Sequence, residues 1–243
     1  MADNRLEEIA GSLETMKIGL DGTFTFHCTM CGKCCINRED ILLSPKDIFN
    51  MAKALGLSTM KLLEKYCEAY IGPDSRIPIV RLLPKGAAKR CPLLKNQKCM
   101  VHKAKPIVCA MFPIGRCLIA QNQKEGLTSV SEDMVQYIFI DPECGDQSET
   151  HTVRSYLESF GIQTPDRYFS RWQQTVLDIC RILPKIEEIR KPEEIEMVWT
   201  AVLTGLYLHY DTSADFMPQF ESNIEKFFRI VGTAFPECTQ REP

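Results

Sequence analysis

The chain has 243 residues, 44% of them hydrophobic, and a net charge of −3, enough apolar mass to bury a sizeable core. No apolar run reaches the ~18 residues that a bilayer span requires, and Met1–Leu20 has neither a secretory nor an Arg-rich transit pattern. A membrane-spanning chain is therefore not expected, and the cytoplasm is, where twelve cysteines signal metal or redox chemistry before disulfides.

In chain order, residues 1–22 read as an N-terminal segment, a loose amphipathic helix ending in a turn at Asp21-Gly22. A short extended piece, Thr23–Phe26, then delivers Cys28-Thr-Met-Cys31-Gly-Lys-Cys34-Cys35, four thiols in eight residues. Thiolates two residues apart converge on one side of a tight turn, where they meet a soft metal or the irons of a cluster. Gly32 permits that turn. Cys34 and Cys35, as neighbours, point in different directions, so one of them serves a second metal or none.

Ser44-Pro45 caps and opens a helix predicted over 45–55, with Gly56 as its stop. Ser58 opens a second, predicted through Tyr70, with Met60, Leu63 and Cys67 on one apolar face. Cys67 there reads as a small buried hydrophobe. Residues 77–83 have strand composition, with Pro78 confining them to an edge or a strand start. Residues 84–115 are loop-like, broken by four prolines, and a metal would tie them down. Strand character returns at 117–121 and 135–140. From about 150 the pattern is helical: 164–183, 192–210 and 214–232, with apolar stripes that read as core.

The expected fold is therefore α+β and mostly helical. A small cysteine-rich module with a short antiparallel sheet and irregular loops occupies 23–150, covered by a helical region over 151–243. Between Arg76 and Lys124 stand eleven Lys or Arg and no Asp or Glu. Compensation of nearby thiolates is the preferred account of this charge. No basic helix face or aromatic ladder favours nucleic acid.

The second set of thiols is Cys91-Pro, Cys99 with His102 three residues on, Cys109-Ala-Met-Phe-Pro, and Cys144-Gly. With the first run these make eight candidate ligands: Cys28, Cys31, Cys34, Cys35, Cys91, Cys99, Cys109 and Cys144. The pattern resembles the YkgJ-like cysteine-cluster family, described as a zinc- or iron-chelating domain with a CxxCxxCC signature, over roughly residues 24–150. The resemblance implies metal chelation and fixes neither metal nor reaction. His102 stands near the position of the family's Tyr, Lys105-Pro106 replaces its Arg-Pro, and Ala110 replaces its next Arg, which removes the bidentate Arg fork.

Cys28, Cys31 and Cys34 match the first three ligands of a ferredoxin-type run, with Cys91-Pro92, Cys109 or Cys144 as a remote fourth. A 4Fe-4S cluster is thus preferred, with a zinc or iron ion as the alternative; the spacings around Cys99 do not make zinc knuckles. His27 reads as a neighbour of cluster sulfur or as exposed, and His151 and His209 as structural. No Ser/His/Asp group, carboxylate pair or phosphate loop suggests a catalytic machine.

The leading expectation is an electron carrier or accessory factor whose helical half docks a protein partner, of open oligomeric state. Two other classes compete. One is a protein lysine methylase, since the cysteine pattern resembles in part that of the flagellin lysine methylases. The other is a structural zinc scaffold.

Overall fold

A computed structural model describes residues 11–119, 127 and 129–239. The predicted N-terminal helix lies partly outside these residues; 11–16 are helical and lead into a two-residue strand, β1 (Lys17–Ile18). The expected class is what forms: an α+β, mostly helical chain in which helices follow a strand-rich first part.

The first sheet joins β1, β9 (Val135–Phe139) and β8 (Ile114–Leu118) in that order, all antiparallel. A second pairs β2 (Thr23–His27) with β10 (Asp146–Thr152). A third is ordered β3 (Leu42–Leu43), β5 (Pro78–Leu82), β4 (Cys67–Ile71). Pro78 takes the first position of the central strand, where its missing N–H costs least. A two-residue hairpin, β6 (Leu94–Lys95) and β7 (Lys98–Cys99), completes the set.

Helix α1 (Pro45–Leu55) has the predicted bounds, with a capping box between Ser44 and Asp47 and Gly56 in the left-handed region as its stop. Helix α2 (Thr59–Tyr66) is shorter than expected. Residues 67–71 are not helix but strand, because all five pair with β5, Cys67 opposite Leu82. The buried face of α2 is Thr59, Leu62 and Tyr66, and Met60 is exposed. Cys67 is nonetheless buried.

After a five-residue helix α3 (Ile107–Met111) and α4 (Val153–Ser159), the long α5 (Arg167–Ile189) starts under the Asp166 cap and runs past Pro184. Its stripe of Ile179, Leu183 and Ile186 keeps packing across the hydrogen bond that proline removes. Helix α6 (Pro192–Ala201) passes into a wider π segment, Val202–Leu208, where one continuous α-helix was expected. Helix α7 (Phe216–Ala234) follows Asp215. Cys238 is buried where α8 (Pro236–Thr239) folds back on α5 and α7 and Glu237 pairs with Arg190.

Two apolar cores result. The larger gathers Ile48, Met51, Leu62, Val80, Leu93 and Val101 with Trp172, Leu183, Leu206 and Phe220, so the helices lie over the cysteine loops. The smaller joins Phe24, Phe26, Met111, Ile114, Tyr156 and Leu157. Ile107 packs against both. Buried Arg116 on β8 ties the two regions, bonding Asp166 at 2.8 Å and lying 3.6 Å from the Phe169 ring centre. Among the described residues no helix is long and apolar enough to cross a membrane.

Candidate metal centre

The thiols assemble where the two cores meet. Strand β2 ends at His27, opposite Asp146 at the start of β10. That register sets the chain after His27 beside the chain before Asp146, bringing Cys28 and Cys31 to Cys144. Gly145 makes this approach possible. It has φ of 77°, and a Cβ there would fall 2.5 Å from the His27 carbonyl oxygen and 2.7 Å from the Phe26 ring.

Gly32, with φ of 73°, turns the run into a 3-10 turn over Lys33–Cys35. The Cys35 carbonyl then accepts from the Cys91 N–H at 2.8 Å, joining the second loop to the first. Asn37 and Arg38 add N–H bonds to the carbonyls of Ala88 and Lys89. The β6–β7 hairpin sets Cys99 opposite Leu94, and its tip residues Asn96 and Gln97 both take positive φ, as a tight hairpin turn requires.

Cys109 rides on α3. The Ile107 N–H at the start of that helix donates to buried Asp47 at 2.7 Å, while the same carboxylate closes the α1 capping box. One side chain thus fixes two helix starts, and burial raises its pKa against those donors.

The eight thiols form two groups. Cys35, Cys91, Cys99 and Cys109 each lie within electrostatic reach of the other three. They are half-buried and line one cavity of about 80 Å³, with Cys28 and Cys34 also on its wall. Cys31 contacts Cys144 on the other side, beside a much larger open concavity. Cys34 stands between the groups, 4.0 Å from Cys35 and near Cys144.

The protons follow this crowding. The bond to Cys35, then burial, pushes the Cys34 thiol far up. Cys35 is drawn down by its bond from Cys34, yet its bond to Cys91 and burial lift it to about 11. Cys91 is lowered, first by Cys35 donating to it. Burial raises Cys99 and Cys109, and burial with nearby thiols lifts Cys144 to about 11. Cys31 is lowered, chiefly by the N–H of Lys33.

Arg38, which the sequence did not single out, and Lys105, part of the basic stretch read as compensating the thiolates, supply positive charge. Arg38 is held to Asp40 at 2.6 Å, lines the cavity and eases ionisation of Cys34 and Cys109. Lys105 does the same for Cys99. His27 pairs with Glu149 at 2.7 Å, and His151 bonds the Phe26 carbonyl. His102 lines the cavity wall, its pKa lowered by burial and by Lys105.

Among the described residues no three His, Cys, Asp or Glu side chains converge on one point as ligands of a single ion. The donor set is nonetheless soft and thiol-rich, and burial with neighbouring thiols holds protons on Cys35, Cys99, Cys109 and Cys144 that a cation would displace. Such a set fits zinc or iron. Residues 27–134 match the family model CxxCxxCC, whose description is "Putative zinc- or iron-chelating domain". No curated protein and no solved structure matches the chain.

Proposed function

We propose that the segment 27–134, which matches the CxxCxxCC family model, holds an iron–sulfur cluster through Cys35, Cys91, Cys99 and Cys109. The observation that carries this reading is the shape of the thiol cavity. These four thiols, with Cys28 and Cys34 beside them, line a space of about 80 Å³ and lie within electrostatic reach of one another. A single zinc ion needs four sulfurs about 2.3 Å from one point. A four-iron cluster takes one thiolate per iron and so spaces its cysteines more widely.

The cavity is far smaller than the roughly 300–1,000 Å³ that a small organic molecule occupies, which favours an inorganic occupant over a methyl donor at this point. A bound cluster supplies one-electron chemistry. The chain's own residues hold its environment: Leu93, Val101 and Phe112 limit water at the cavity wall, and Arg38 and Lys105 offset thiolate charge. Electron transfer or an accessory role toward a protein partner in the cytoplasm follows from a redox centre without catalytic companions.

Purification without oxygen tests the reading. The protein should be brown, carry iron with acid-labile sulfide, and bleach in air. A colourless preparation holding stoichiometric zinc and no sulfide would refute it in favour of the zinc scaffold.

A further inference from the structure

The basic stretch divides in two. Arg76, Arg81, Lys89 and Arg116 pair with Glu187, Glu68, Glu39 and Asp166, all from outside the stretch. Lys103 and Lys105 have no carboxylate within ion-pair distance among the described residues. With Lys46 and Arg167 they line a separate cavity of about 460 Å³, which shares His102 and Lys105 with the thiol cavity.

Two of these cations are half-buried. Lys46 lies 5.0 Å from the ring centre of Tyr168, and Lys105 4.5 Å from that of Phe160. Desolvating an ammonium is costly unless it gains a partner, and the aromatic faces repay only part of that. Neither nearby carboxylate forms an ion pair with them, although Asp47 is within Coulombic reach of Lys46. Asp166, on the cavity wall, is taken by Arg116 at 2.8 Å. Asp47 is buried and engaged by Ser44 and the Ile107 N–H.

We propose that this cavity binds a small phosphorylated molecule, its phosphate held by Lys46, Lys105 and Arg167 with Lys103 at the rim. Ammonium and guanidinium donors around one space match the charge and acceptor oxygens of a phosphate better than a single carboxylate. The volume lies within the range for small organic ligands. The argument rests on this cavity and not on the identity of the metal, so the two readings fail independently.

Calorimetry on the full chain as purified decides it, with inorganic phosphate, glucose 6-phosphate and AMP as separate probes and succinate as the carboxylate control. At least one phosphate compound should bind saturably, more weakly as salt rises. Its affinity should drop at least tenfold in Lys46→Gln and in Lys105→Gln, and stay unchanged in Lys85→Gln, which lies outside the cavity. Tighter binding of AMP or the sugar phosphate than of phosphate alone would assign the rest of the cavity to the organic part; equal binding would limit the site to the phosphate group. Absence of saturable binding, equal affinity for succinate, or undiminished binding in folded Lys46→Gln and Lys105→Gln proteins would overturn the proposal.

Discussion

Residues 84–109 and the helices α5 to α7 are ordered by different forces. The first segment contributes Leu93 and Val101 to the core, two strands of two residues, and a few backbone bonds to the Cys28–Cys35 turn. Lys89, Asn96 and Gln97 there all take positive φ, a conformation that side chains beyond glycine adopt at a cost. The helices instead bury Trp172, Ile179, Leu183, Leu206, Phe220 and Ile224 along continuous stripes. Burial alone accounts for the helices. The cysteine loops need the energy of ligation, and the two regions should therefore respond to opposite perturbations.

The largest expected effect is on metal content. Cys91→Ser or Cys109→Ser should lose nearly all bound metal and open residues 84–109 to protease, while far-UV circular dichroism keeps its helical signal. Loss of helix together with metal would show that the two regions are not held separately. The reverse perturbation is Phe220→Ala, in the fully buried centre of the helices. It should cost about 3–5 kcal/mol in urea unfolding and leave the metal-to-protein ratio of the folded fraction unchanged.

Asp47 joins the two regions, since it caps α1 and holds the start of the helix carrying Cys109. Asp47→Ala should cost about 1–3 kcal/mol and speed metal loss to a chelator. A stability loss with unaltered metal release would confine Asp47 to capping. Acid–base behaviour gives a smaller, graded test. The bond to Cys91 and burial hold the proton on Cys35 to about 11, and burial raises Cys99 and Cys109, so in the metal-free protein these thiols are protonated at neutral pH. Metal must displace those protons, and its apparent affinity should rise with pH up to that range, by about tenfold per pH unit for each proton released. Chelator competition from pH 6 to 9 measures the slope; a flat profile would mean that the ligands are not these thiols. The smallest effect belongs to Cys180, which is half-buried on α5 and donates to the Ser75 carbonyl at 3.6 Å. Cys180→Ser should change stability by about 0.5 kcal/mol or less and leave metal content intact.

Much of this was legible in local sequence because local physics sets it. Ser44-Pro45 with Gly56 and the apolar stripes of α5 and α7 are short-range signals, and each produced its helix. The cysteine run is equally local, and its family resemblance agreed with the family match. What was not legible depended on distant partners. Residues 67–71 follow a helix without a breaker and become strand only because β5 offers a ladder. Cys238 is buried only because α8 returns to α5 and α7. The spacing of Cys28, Cys31 and Cys34 suggested one facial set, and the β2–β10 register brings these thiols to Cys144, whereas nothing local placed Cys35 beside Cys91. Arg38 stood two residues beyond the run, and a search for cations next to the thiols would have found it. The second bond of Asp47 spans sixty residues and leaves no local trace.

The grouping of the thiols is the central claim, and one comparison tests it directly: iron and acid-labile sulfide per chain in anaerobically purified Cys99→Ser and Cys31→Ser. Cys99→Ser should hold almost no sulfide, and Cys31→Ser should keep a near-normal iron and sulfide content. Loss of the cluster from Cys31→Ser with retention in Cys99→Ser would contradict the inner quartet and return the site to the Cys28–Cys34 run.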